Sequence, residues 1–176
     1  MTKLRLTRTT RGAVVALALA LLGAAPAAAA QPTRTVIVAG PVAHYPAGTG
    51  CEFDVTVYRS PGSRTTITDF SDGNEMLLNH ATHRTITNDA TGATFVEESI
   101  SHEVDTFPNG LITGTINGQF IWEFYPGDVG PDGVVLDHLL ALYVQGVATY
   151  VVDGTTYATL EIHIVGTITD ICAAIS

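Results

Sequence analysis

Lysine disappears from this 176-residue chain after Lys3, and past residue 30 the only arginines are Arg34, Arg59, Arg64 and Arg84. Asp and Glu show the reverse, absent before Glu52 and numbering 17 in all. Four arginines against those 17 acids leave residues 31–176 at a formal charge of −13. A surface of that sign, without any basic patch, repels nucleic acid and anionic lipid and excludes both as principal partners. Charged residues make up only 14% of the chain, well under the roughly 25% usual for soluble domains. The 46% apolar content, on the other hand, is too high for a disordered chain. There are only two cysteines, too few for a disulfide-dense scaffold or a thiolate zinc set.

The four remaining basic residues, Lys3, Arg5, Arg8 and Arg11, precede an apolar run over 12–22 and a small-residue tail ending at Ala30. This order reads as a secretory signal over residues 1–30, cleaved between Ala30 and Gln31. The run is shorter than the roughly 20 residues that span a bilayer, so no permanent anchor is expected and the product is extracellular. The rest divides into an N-terminal segment with the first strand over 31–50 and the remainder of one disulfide-closed β-domain over 51–176. In an exported protein Cys51 and Cys172 form the bridge, a structural pair rather than a C-x-x-C redox motif.

Past Arg34, runs rich in Val, Ile, Thr, Tyr and Phe alternate with turn clusters, and no helical period persists. Strands are expected over 35–43, 52–59, 65–70, 75–80, 82–88, 94–105, 115–125, within 134–152 and over 157–171. Positions 134–142 are also compatible with a helical turn. Short connections favour sequential pairing, so the expected fold is all-β, an antiparallel up-and-down β-barrel of eight or nine strands, with a two-sheet sandwich as the alternative.

Cys51-Glu52-Phe53-Asp54-Val55 and the terminal Asp170-Ile171-Cys172-Ala173-Ala174 resemble the two ends of a family of small secreted actinobacterial β-proteins, with a C-x-F-x-V start and a D-[IL]-C-A-A finish. The resemblance implies export, a disulfide and a β-fold. It carries no catalytic residues across, and Asp54 departs from the Pro often found there.

Motifs for chemistry are missing. There is no G-x-S-x-G elbow, no G-x-G-x-x-G after a strand, no phosphate loop and no H-E-x-x-H, so neither a cofactor nor a transition-metal site is assigned. His80 and His83 flank a turn without completing a ligand set. Asp128, Asp132 and Asp137 among glycines are the one candidate for calcium, though they are also ordinary turn chemistry.

The strand over 94–105 draws more interest. Val96, Glu98, Ile100, His102 and Val104 share one face, and Phe95, Glu97, Ser99, Ser101 and Glu103 the other. The second set reads as the wet face, which sends Glu98 and His102 inward beside Phe120, Trp122, Phe124 and Tyr150 as a ligand pocket. Glu98, His102 and Trp122 are therefore the candidate binding residues. The leading functional reading is a secreted non-catalytic binding protein, taking a small apolar ligand inside or an extracellular protein outside. An isomerase or lyase using Glu98 or His102 as general base, or a structural cell-surface protein, are the alternatives.

Overall fold

Those β-branched runs form nine antiparallel strands in residues 31–176, the part of the chain that the computed structural model describes. The leader expected over 1–30 lies outside the described residues. The strands are β1 (Thr33–Val38), β2 (Val42–Tyr45), β3 (Val55–Arg59), β4 (Arg64–Asp69), β5 (Glu75–Asn88), β6 (Thr94–Thr106), β7 (Leu111–Phe124), β8 (Leu140–Asp153) and β9 (Thr159–Asp170). A single helical turn, α1 (Ile171–Ala174), closes the chain, capped by Asp170, whose carboxylate accepts the Ala173 N–H.

From β4 to β9 each strand pairs with its sequence neighbour, as expected, but β1 pairs with β4 and β3 with β5, so the N-terminal part is not a simple meander. The order is β1-β4-β5-β6-β7-β8-β9, with β2 on β3 and β3 on the second half of β5. Among the described residues β1 and β9 do not pair, so the sheet is not closed into a hydrogen-bonded barrel. Several expected boundaries shift, β3 starting at Val55 rather than 52 and β7 at Leu111 rather than 115. The run over 35–43 divides into β1 and β2 around 39–41, and the runs over 75–80 and 82–88 fuse into β5 across a bulge between Asn79 and Thr82. Positions 134–142 form no helix. They belong to a loop pinned by the Val129–Val135 bridge and to the start of β8.

These irregularities fall on one line across the sheet. Gly118 of β7 faces Gly146 of β8, which faces Gly166 of β9, while Ser101 of β6 faces Gly118. The β5 bulge and the breaks between β3 and β4 and between β1 and β2 continue the same row. Gly118, Gly146 and Gly166 have φ of 129°, 159° and 146°, a region closed to side-chain-bearing residues. A Cβ on any of them would collide with a carbonyl oxygen of the adjoining strand. The row is a crease. Trp122 pairs with Leu142, and Tyr150 lies eight residues further along β8, roughly 27 Å in a flat strand. Yet the Trp122 and Tyr150 ring centroids are 4.7 Å apart, and the Trp122 indole N–H donates to Thr159 Oγ at 3.3 Å. The β7–β8 ribbon has folded back on itself.

Folding back encloses one core on the even-numbered face of β7 and β8, around Phe120, Phe124, Val144, Ala148 and Tyr150. A second core packs Val55, Val57 and Ile86 against Ala141, Tyr143 and the α1 residue Ile171. Beside it Cys51 and Cys172 form the expected disulfide, with Cα atoms 5.5 Å apart. It joins the β2–β3 loop to α1 across 121 residues, rather than strand to strand. No helix among the described residues is long and apolar enough to cross a membrane.

The crease makes a sharp test. Gly146→Ala should cost more than about 3 kcal/mol in denaturant unfolding, or prevent folding, because the collision is with backbone. Gly40→Ala, where a Cβ meets nothing closer than 3.9 Å, should stay within about 0.5 kcal/mol. Equal effects would contradict the crease. Removing the bridge with Cys51→Ala/Cys172→Ala should lower stability by roughly 2–4 kcal/mol.

Candidate functional site

The face that β6 turns inward is the polar one. Glu97, Ser99, Ser101 and Asp105 are buried and Glu103 half-buried, whereas Val96 is 67% exposed and Ile100 47%. Glu98 and His102 accordingly point outward, correcting the expectation from alternation. Glu98 sits 3.7 Å from His83 in an exposed pair, and His102 borders a shallow outer groove beside Gly118. The expectation failed because it assigned water as the partner of the polar set, and the fold supplies protein partners instead.

Three networks satisfy that set. Arg84, directly across from Glu97 on β5, donates to the Glu97 carboxylate and to Ser99 Oγ, while Ser99 donates to the other Glu97 oxygen at 2.8 Å. The Glu97 side chain is fully buried, so this is an ion pair removed from water. One layer along, Thr65 donates to Asn79 Oδ1 at 2.5 Å, and the Asn79 amide donates to Ser101 Oγ at 2.7 Å. Further still, the Tyr150 hydroxyl reaches Glu103 at 2.5 Å and Asp105. Tyr150 crosses the intervening strand over Gly114, where any Cβ would strike both its ring and the Asp105 carboxylate.

Asp69, Glu75 and Asp105 lie directly opposite one another across β4, β5 and β6. Burial, then the neighbouring acids, pushes the Glu75 carboxyl above its usual range. Burial does the same to Asp105 and Glu103, against the pull of the Tyr150 hydrogen bond. Burial and the adjacent Glu103 carboxylate push the Tyr150 phenol up strongly as well.

Between this face and the folded-back end of β7 lies a cavity of about 310 Å³. Its apolar side includes Ile37, Ile116, Phe120, Ile121 and Trp122, and its polar side includes Arg59, Arg84, Ser99, Asn79 and Glu103. Of the three candidate binding residues, the structure brings Trp122 to this cavity and leaves Glu98 and His102 outside it. Phe124 and Tyr150, also expected in the pocket, lie in the adjoining core. The arginines were missed as site residues. Their scarcity was visible, but the meeting of Arg59 and Arg84 depends on the pairing of β3 with β5.

The remaining candidates have structural partners. Asp128, buried, accepts the N–H groups of Tyr125 at 2.8 Å and Thr159 at 3.0 Å, stapling the loop to β9. Asp132 accepts the Val134 N–H, and Asp137 pairs with His138. His80 meets Thr66 rather than His83. Among the described residues no three His, Cys, Asp or Glu side chains gather to hold a metal ion. Comparison with protein-family models, curated proteins and solved structures returns no match for this chain.

Two measurements follow from this geometry. Arg84→Met strands the buried Glu97 carboxylate and should cost about 3–5 kcal/mol, whereas Glu98→Gln should change stability by less than about 0.5 kcal/mol. Reversed sizes would restore the original face assignment. The raised carboxyls of Glu75, Glu103 and Asp105 make the folded state bind protons more tightly than the unfolded chain. Their contribution is therefore complete below the unfolded carboxyl range near pH 4 and is lost as pH rises through the folded values. The melting temperature should rise on going from pH 7 toward pH 5, and Glu75→Gln/Asp105→Asn should flatten that rise while stabilising the protein at neutral pH.

Proposed function

We propose that this chain is a secreted, non-catalytic binding protein whose ligand occupies the cavity between the inner face of β6 and the folded-back end of β7. One observation carries the reading. Arg59 and Arg84, directly opposite each other on β3 and β5, border a half-open space that also has an aromatic wall, Phe120 and Trp122. A concave site of about 300 Å³ with an apolar wall and a few directed polar groups is the usual design for a small ligand. The disulfide and the leader-like first thirty residues support an extracellular setting. The end motifs support kinship with the small secreted actinobacterial β-proteins that they resemble.

An isomerase or lyase working through Glu98 or His102 finds less support, since both lie on the far side of the sheet from the cavity. The acids on the cavity side, Glu97 and Glu103, are engaged by Arg84 and Tyr150.

Native mass spectrometry of oxidised protein from the medium of its own secretor tests the reading. The expected spectrum carries a small retained mass above that of residues 31–176, released by mild organic extraction. Returning the extract should shift the emission of Trp122, the only tryptophan. A bare polypeptide mass, with Trp122 unmoved by concentrated extracts of that medium, would overturn the cavity reading in favour of contacts on the outer faces.

A further inference from the structure

β6 and β7 separate at the crease. Their pairing ends at Ile100 opposite Gln119, and beyond it residues 120–124 of β7 pair with β8 alone. Every second residue of that stretch therefore turns its main-chain N–H and C=O away from β8. No strand or turn among the described residues bonds those groups from the open side. Phe120 and Trp122 pack with the first core and Ile121 with the second, so they lie on opposite faces of β7. A cavity that touches all three reaches both faces of the strand and so runs along its open edge. The two walls differ in character. Ile116 and Trp122 stand on the Phe120 side, whereas on the Ile121 side the Arg59–Arg84 pair follows Val57–Ile86 along β3 and β5, with Ser99 and Thr82 beside it. Arg84 is neutralised by Glu97, and Arg59 donates to Gly40 and Tyr45, so neither wall calls for an ion. What the cavity leaves unmatched is main chain.

We infer that the ligand is a short, uncharged, extended peptide stretch that adds a strand to β7 at 120–124, its side chains alternating between the aromatic wall and the Arg59–Arg84 wall. Another main chain, lying about 4.8 Å away, is what matches a row of open N–H and C=O groups. A plain alkyl or aryl compound would cover the aromatic side and leave that row without partners, which costs binding energy. The cavity of about 310 Å³ is near the lower bound for ligand sites, so the inserted stretch is short, about three residues or roughly 10 Å. This rests on the binding reading above and adds the chemical class.

Amide hydrogen exchange on the oxidised protein, followed residue by residue by NMR, tests this without any variant, so folding does not enter. In the free protein, alternate amides over 120–124 should exchange at least tenfold faster than those over 113–118, which have strands on both sides. Uniformly slow exchange over 120–124 would show the edge already paired and overturn the inference. The probes are acetyl-Val-Thr-Val-methylamide, the same peptide with its amide nitrogens methylated, and 1-octanol, each titrated while following Trp122 emission. The parent peptide should slow the fast amides at least tenfold at saturation, and the methylated peptide should bind at least tenfold more weakly. Octanol should move Trp122 emission without protecting those amides. Equal binding of the two peptides, or octanol protecting the same amides, would overturn strand addition while leaving the cavity reading intact. Protection falling on β1, β2 or β9 instead would put the peptide on another free edge and overturn the assignment to β7. Failure of every probe to move Trp122 would overturn the peptide class, and the retained-mass experiment above decides the cavity reading separately.

Discussion

The row of backbone contacts at Gly118, Gly146 and Gly166 is the constraint on which the rest depends. Strands approach so closely along it that no side chain fits, and the φ values there are open only to glycine. Without the resulting bend, Trp122 and Phe120 would lie at one end of a long ribbon and Tyr150 at the other. With it, a sheet with free edges at β1, β2 and β9 encloses two cores and a cavity. Closure through a crease differs from closure through hydrogen bonds, the route a barrel takes. It leaves β6 paired to β7 only over Ile100–Thr106, and the region where the two strands part is where space opens between layers.

The polar interior follows from that opening. A sheet packed wholly against another sheet has little reason to turn Glu97, Ser99, Ser101, Glu103 and Asp105 inward. Here each has a partner on a different strand: Arg84 on β5, Asn79 on β5 and Tyr150 on β8. The networks tie β5, β6 and β8 together through side chains, adding cross-links that the β6–β7 ladder lacks in its upper half. The cost is a set of carboxylates held close together, visible in the raised affinities of Glu75, Glu103 and Asp105 for protons.

Much of the fold was legible in the sequence. Asp72-Gly73-Asn74, Ala90-Thr91-Gly92 and Asp153-Gly154 mark true turns, and the partnership of Cys51 with Cys172 needed only the count and the compartment. Strand order from β4 to β9 followed from short connections, whereas the pairing of β1 with β4 and of β3 with β5 did not. The crease was not legible, because Gly118, Gly146 and Gly166 announce close approach only once it is known that they face one another, and register is a long-range property. The site was half legible. Trp122 was found because a lone tryptophan among alternating aromatics points inward. Glu98 and His102 were misplaced because polarity alone was used to choose the wet face of β6, and polarity cannot distinguish water from Arg84 or Tyr150 as a partner.

The bridge has one more consequence. Everything from β3 to β9 lies between Cys51 and Cys172, so that stretch is a covalent ring with β1 and β2 as a tail. The exposed turns at Pro108–Gly110 and at 155–157 are among the places open to a protease. One cut at either turn opens the ring without releasing a fragment. The nicked chain gains only the mass of one water, its sheet partners remain tethered at an effective concentration far above any free peptide's, and two independent cuts are needed before a piece can diffuse away.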